Sequence, residues 1–194
     1  MKKILKDALV LMAFSLVLGF ALGAVYKITE GPIAEANLRK EMEAYKVVFA
    51  TADTFKAMEV DAAKAEAIMT AGGFSDTINS ALEAVDAEGN VIGYVVTVTT
   101  QEGTYGTGIV LTVGIQNDGT VNGFSDVSKG DATIYKAFDP AFADQFKNVK
   151  VDKFEKGTNL NYDSVAGASM TADAVKNACN AAIAYVNDLK GGAQ

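Results

Sequence analysis

The first strong pattern along the chain is an uninterrupted apolar run, ALVLMAFSLVLGFALGAVY, from Ala8 to Tyr26. About 19 residues without a charge span roughly 28 Å as a helix, close to the thickness of a bilayer core. Thr29 to Pro32 then predicts a short break. From Ile33 to Ala50, Ala36, Lys40, Ala44 and Val47 recur at three- and four-residue spacing beside Glu35, Arg39, Glu41 and Glu43, which predicts a helix leaving the membrane. A second helix is expected over Asp61 to Ala71, stopped by Gly72-Gly73.

The period then changes from helical to extended. Ala81–Asp86, Val91–Thr100, Gly106–Ile115 and Val121–Val127 are β-branched runs separated by Glu88-Gly89-Asn90, Gln101 to Tyr105 and Asn117-Asp118-Gly119. Such turn chemistry between short strands predicts an antiparallel meander of about four strands. Asp139-Pro140 breaks the chain before a short helix near Ala141 to Phe146, and Lys147 to Thr158 reads as irregular or as a short edge strand. Finally, Ala172 to Leu189 places Val175, Ala178, Ala182, Val186 and Leu189 on one face, an amphipathic helix suited to covering the sheet. The fold class expected is α+β: a single N-terminal transmembrane helix, then a domain with an antiparallel sheet covered by helices.

Charge refines the membrane reading. Lys2, Lys3 and Lys6 precede the apolar run and only Lys27 follows it closely, so the positive-inside bias puts the N-terminus in the cytoplasm and the domain outside. A cleaved signal peptide also has a basic start and small residues near Ala21 to Ala24, but the length of the run favours an anchor. Removing the three lysines and one aspartate of residues 1–26 from the 17 basic and 24 acidic side chains leaves 14 against 23, a balance of −9. A domain so acidic repels phosphate backbones, and nucleic acid is not an expected partner.

Composition narrows the chemistry. The chain has no histidine, no tryptophan and one cysteine, Cys179, which excludes Ser-His-Asp and Cys-His catalysis, Cys/His zinc sites, ordinary haem ligation and an intramolecular disulfide. Carboxylates, hydroxyls, backbone groups or a cofactor must do the work. Cys179, beside the apolar stripe of the last helix, reads as a small buried hydrophobe rather than a reactive thiol.

The segment that carries chemistry is Asp163-Ser164-Val165-Ala166-Gly167-Ala168-Ser169-Met170-Thr171. Its small residues allow a tight turn, and two hydroxyls sit at the mouth of a helix. In one reading this is simply a capped helix start, with Thr171 as N-cap and Asp173 in the first turn. In the other it is an anion site, where backbone amides and the positive end of the helix dipole hold a phosphate beside a hydroxyl.

These residues resemble the flavinylation motif shared by the FMN-binding subunits of two membrane complexes, the Rnf complex and the sodium-pumping NADH:quinone reductase. Asp163, Gly167, Ala168 and Thr171 match that pattern, and the flavin-bearing position falls on Ser169 in place of the usual threonine. Ala166 stands where a hydroxyl residue is usual. The resemblance runs over nearly the whole chain, through Gly106-x-Gly108-Ile-x-Leu-x-Val-Gly114-Ile, Asp118-Gly119-x-Val with Gly123, Asp139-Pro-x-Phe142 and Gln145-Phe146-Lys147. One family block, a Glu-Thr-Pro-Gly-Leu-Gly loop, is replaced by Ser128 to Lys136, so contacts assigned to it do not transfer. The short chain fits the Rnf protein better than its quinone-reductase cousin.

The resemblance implies FMN joined to Ser169 through a phosphoester, installed by a separate flavin transferase from FAD with a divalent metal, Asp163 orienting the loop or partner. It implies an electron carrier among other Rnf membrane and iron–sulfur subunits, rather than an enzyme alone. Residues 1–27 would form the cytoplasmic N-terminus and anchor, 28–80 a helical linker region and 81–194 the FMN-binding domain. Gly106, Thr107 and Gly108 would let backbone approach the flavin, and Tyr105 and Tyr135 are aromatics in loop-like sequence, though each of these residues fits a core or turn role at least as well. Two other functions remain open on the residues: a stand-alone anchored flavoprotein, and a flavin-free assembly domain whose motif is only a helix cap.

Overall fold

Turn residues set the order of the sheet. In the computed structural model, which describes every residue except 1, 103, 105, 131–135, 158–161, 164–165 and 192–194, Asp86 accepts backbone N–H bonds from Glu88 at 3.0 Å and Asn90 at 2.8 Å. Asp118 does the same for Thr120 at 2.9 Å, with Gly119 in the left-handed region at φ 89°. These side chains stand in for the backbone acceptors of a tight reversal. They connect β2 (Thr77–Val85) to β3 (Val91–Thr100), and β4 (Ile109–Gln116) to β5 (Thr120–Ser128). With β1 (Thr54–Met58) and β6 (Val149–Lys150) at its edges, the sheet has six antiparallel strands in the order β1-β2-β3-β4-β5-β6.

The central strands carry apolar side chains on both faces. From β3 and β4, Val96, Val98, Leu111, Val113 and Ile115 enter the larger core. They are covered by α2 (Ala62–Gly72) through Ala65 and Met69, and by α4 (Ser169–Gly191) through Ala172, Val175, Ala178, Cys179, Ala182 and Val186. The alanines let α4 lie close to the sheet, and Cys179 is fully buried, a small apolar filler as expected. Burial also pushes its thiol pKa well above the ordinary range. Phe124, Phe142, Phe146, Phe154 and Tyr162 complete this core as a continuous aromatic cluster.

The opposite face is covered by the end of α1 (Lys2–Val48) and the turn after it: Tyr45, Val48, Phe49 and Ala52 pack with Ala84 and Val95. Gly93 and Gly114 make room for them. A Cβ on Gly93 would lie 2.5 Å from Phe49 Cζ, and one on Gly114 would lie 2.8 Å from the Val48 carbonyl oxygen.

Two compact units make up the chain, Met1–Glu41 and Met42–Gln194. In the first, Leu9–Lys27 is long and apolar enough to cross a membrane, and none of it is buried within the protein. The α+β class with an N-terminal apolar helix is therefore observed.

Several local expectations are corrected. No break occurs at Thr29 to Pro32: α1 is helical throughout, even though an interior proline removes one amide from the ladder. Thr29 Oγ1 donates to the carbonyls of Val25 and Tyr26, bonds that a helix accommodates. The segment 28–80, expected to be helical, also supplies β1 and the first residues of β2. The Asp61 helix is as expected, its carboxylate accepting from the N–H groups of Ala63 and Lys64, with Gly73 at φ 70° ending it. The short helix splits into α3 (Pro140–Ala143) and a 3-10 turn, Asp144–Phe146.

Candidate functional site

The last helix begins three residues earlier than its apolar stripe suggested. Ser169 is its first residue, and the Ala172 N–H donates to the Ala168 carbonyl at 2.9 Å. Thr171 is consequently not the N-cap. It lies inside the first turn and is 4% exposed, facing the core. Asp173 falls beyond the first turn, which holds no acidic residue, and its carboxylate accepts instead from the Tyr162 hydroxyl at 3.1 Å. Burial and that contact both push the Tyr162 pKa upward.

What precedes α4 is a turn at Ala166–Gly167, with Gly167 exposed at φ 78°, then Ala168, 3% exposed. Left-handed backbone at Gly167 swings the chain so that the Ala168 methyl enters the core and Ser169 faces solvent. At α2, the Asp61 carboxylate caps the corresponding amides; at α4, the Ala168 methyl has no acceptor to offer. An exposed hydroxyl thus stands at the positive end of a 23-residue helix whose first turn carries no competing negative charge. A phosphate ester suits this place, and the residues present fit the phosphate end of FMN.

Asp163 is also exposed, and its backbone is gripped by Gln145: Asp163 N–H donates to Oε1 at 2.7 Å, and Nε2 donates to the Asp163 carbonyl at 3.3 Å. The sequence shows Gln145 only as part of the Gln145-Phe146-Lys147 block; a bond spanning 18 residues leaves no local signal. Ser164 and Val165, between Asp163 and the turn, lie outside the described residues.

The glycine loop lies at the same end of the sheet as Ser169. Direction along α4 establishes this: Lys190, near its end, donates to the Gln116 carbonyl at the finish of β4, whereas Asn177 donates to Glu102 just after β3. Ser169 is a further two turns beyond Asn177, towards the β3–β4 loop. Gly106 and Thr107 are exposed there and Gly108 is buried at φ 70°. Gly130 presses on this loop: a Cβ on it would collide with the Gly108 carbonyl oxygen and sit 3.1 Å from Thr107 Oγ1. The replaced family block therefore begins directly against the glycine loop. Tyr105 and Tyr135 lie outside the described residues.

Asp76, at the same end, was not among the expected site residues. It is 7% exposed, bonded to the Thr100 side chain, and burial raises its pKa to about 6, with the nearby Glu102 charge adding to the rise. It lines a cavity of about 430 Å³ under α2 together with Glu66, Met69 and Phe74. Among the described residues, no cluster of three or more His, Cys, Asp or Glu side chains is arranged to hold a metal.

Residues 73–184, more than half of the chain, match the FMN-binding domain family. The chain belongs to that family. The matched span takes in β2 to β5, the glycine loop, Gln145, Asp163 and the start of α4 up to Ala184, so Ser169 and the residues grouped around it lie inside the FMN-binding domain. The chain is also 27% identical over 197 residues to the G subunit of the ion-translocating oxidoreductase complex of Methanosarcina acetivorans, with 98% of each chain covered.

Proposed function

We propose that this protein is a membrane-anchored electron carrier of an Rnf-type ion-translocating oxidoreductase complex, bearing FMN as a phosphoester on Ser169. The observation that carries the reading is the contrast between the two motif hydroxyls: Ser169 is exposed at the first position of α4, and Thr171 is buried. The 98% coverage shared with the Methanosarcina protein supports the same place in such a complex, and partners drawn from it.

Attachment would join Ser169 Oγ to the FMN-side phosphorus of FAD, with cleavage of the pyrophosphate P–O bond, departure of AMP and transfer of the hydroxyl proton to a base on the flavin transferase. FMN, once bound, supplies the capacity to take up and pass on electrons singly or in pairs. The chain's own residues would hold the phosphate at the α4 N-terminus, keep Asp163 exposed on a fixed backbone, and bring the Gly106–Gly108 backbone to the same end of the sheet. A chain without histidine suffices for this, because the protein positions the redox group rather than performing acid–base catalysis. The apolar helix Leu9–Lys27 serves as a single-pass anchor, with Lys2, Lys3 and Lys6 on the cytoplasmic side and the FMN-binding domain outside. A covalent tether suits that compartment, where a dissociated flavin is not replaced.

The test is the intact mass of the full chain produced in membranes together with a flavin transferase. The expected result is an increase equal to FMN less water, localised by peptide fragmentation to Ser169. A chain of unmodified mass overturns the covalent reading.

A further inference from the structure

Gln145 pairs with both backbone groups of Asp163, at 2.7 and 3.3 Å, across 18 residues of sequence. A carboxamide that takes an N–H and gives to a C=O of one residue reproduces a rung of a β-ladder, so it fixes that residue's rotation as well as its place. The grip uses none of the Asp163 carboxylate, on a residue that stays exposed.

Gln145 is itself held. It lies in the turn Asp144–Phe146, next to the fully buried Phe146. The Phe142 and Phe146 rings contact the Tyr162 ring with centroids 6.0 and 5.3 Å apart. From the other side, the Tyr162 hydroxyl bonds Asp173 in α4, and the Tyr162 carbonyl accepts from the Gly157 N–H at 3.3 Å. Tyr162-Asp163 is thereby fixed from the Asp144–Phe146 turn and from α4 at once, six residues ahead of Ser169.

We propose that Gln145 is a positioning residue for modification of Ser169: by gripping the Asp163 backbone it presents the exposed carboxylate to the modifying enzyme in a set relation to the α4 N-terminus. This rests on the reading of Ser169 as the FMN-bearing residue. Ordering a loop at the moment of docking opposes association, and a loop ordered beforehand lowers that cost. The carboxylate is left available for a cationic side chain or metal ion of the transferase, while the bond changes occur at Ser169 Oγ and the FAD pyrophosphate as above.

The experiment follows intact mass over time for the full-length chain in detergent with purified flavin transferase, FAD and Mg²⁺, alongside hydrogen exchange of the unmodified chain. Gln145→Ala is expected to slow adduct formation about tenfold or more, chiefly through a raised KM for the acceptor chain, and to speed exchange at the Asp163 amide. Gln145→Glu keeps the acceptor for the Asp163 N–H and loses the donor to its carbonyl, so a smaller slowing is expected. Asp163→Asn should block modification while its amide stays protected. A Gln145→Ala chain modified at the wild-type rate overturns the proposal, as does unchanged exchange at Asp163. Should the alanine variant unfold, Gln145→Glu decides: wild-type rate and KM for that variant, with its thermal midpoint unchanged, overturn the proposal. If the wild-type chain itself gains no adduct, the Ser169 reading falls too; a modified wild type with an equally fast Gln145→Ala sinks this inference alone.

Discussion

Asn180 of α4 holds Phe154 by both edges of its side chain: the Phe154 N–H donates to Oδ1 at 2.7 Å, and Nδ2 donates to the Phe154 carbonyl at 3.0 Å. Both residues are buried, and the Phe154 ring lies 4.6 Å from that of Phe146. Here and at Gln145–Asp163, a carboxamide replaces the missing strand partner of an irregular segment on its way to Ser169. Asn180→Ala removes both partners at once, leaving a buried N–H and a buried C=O unsatisfied at about 1–3 kcal/mol each. The expected loss is about 2–5 kcal/mol, measured as a fall in the urea midpoint of the domain. A change within about 0.5 kcal/mol would show that water replaces the side chain without cost.

The two motif hydroxyls should separate cleanly. Ser169→Ala removes an exposed oxygen, so stability should move by no more than about 0.5 kcal/mol while the FMN adduct disappears from the mass spectrum. Thr171→Ala should retain the adduct and lower stability, by about 1 kcal/mol, because the buried side chain packs in the first turn of α4. Ser169→Thr keeps a hydroxyl in the same place and should remain modified. An adduct that survives Ser169→Ala and is lost in Thr171→Ala would move the attachment point and require the first turn of α4 to open.

Gly93 and Gly114 create a slot for the turn after α1. A methyl on Gly93 would collide with the Ile115 carbonyl oxygen and meet the Phe49 ring at 2.5 Å, and neither can withdraw without disturbing the sheet or the smaller core. Gly93→Ala is therefore expected to destabilise by about 1–3 kcal/mol through overpacking. Paired with Phe49→Ala, it should show coupling: the double variant should lose less than the sum of the two single losses, as measured by denaturant unfolding. Simple additivity would show that Phe49 does not occupy the slot.

Much of this architecture is legible in the residues. The four inner strands and the turns at Gly89 and Gly119 follow from alternation and turn chemistry, and Gly73 ends α2 where Gly72-Gly73 stands. β1 escaped because Thr54–Met58 is an edge strand whose side chains are mostly exposed, so it lacks an apolar rhythm. The start of α4 was hidden because small residues serve a turn and a helix equally well, and only Gly167's positive φ separates them. Gln145 and Asn180 were illegible as clamps for a different reason: their partners are backbone groups 18 and 26 residues away, which no local pattern encodes.

Asp76 predicts a pH signature with a definite sign. Its carboxyl, 7% exposed at the start of β2, has a folded-state pKa of about 6 against an ordinary 3.8, because burial disfavours the charged form and Glu102 adds to the effect, only partly offset by the Thr100 hydrogen bond. One of its oxygens, Oδ1, is buried with no hydrogen-bond partner among the described residues. Between about pH 4 and 6 the folded state thus binds more protons than the unfolded one, so this group's contribution to stability falls as pH rises through that window and is level above it. The slope is at most about 1.4 kcal/mol per pH unit. Asp86 and Asp118, whose pKa values are lowered by backbone and side-chain hydrogen bonds, act in the opposite direction, so wild-type stability alone does not isolate Asp76. The difference from Asp76→Asn does, since the amide is nearly isosteric and cannot ionise. Measured by urea unfolding from about pH 4 to 8, the variant should gain on the wild type steadily up to about pH 6 and hold a constant advantage beyond it; two parallel curves would mean that Asp76 titrates as an ordinary exposed carboxylate.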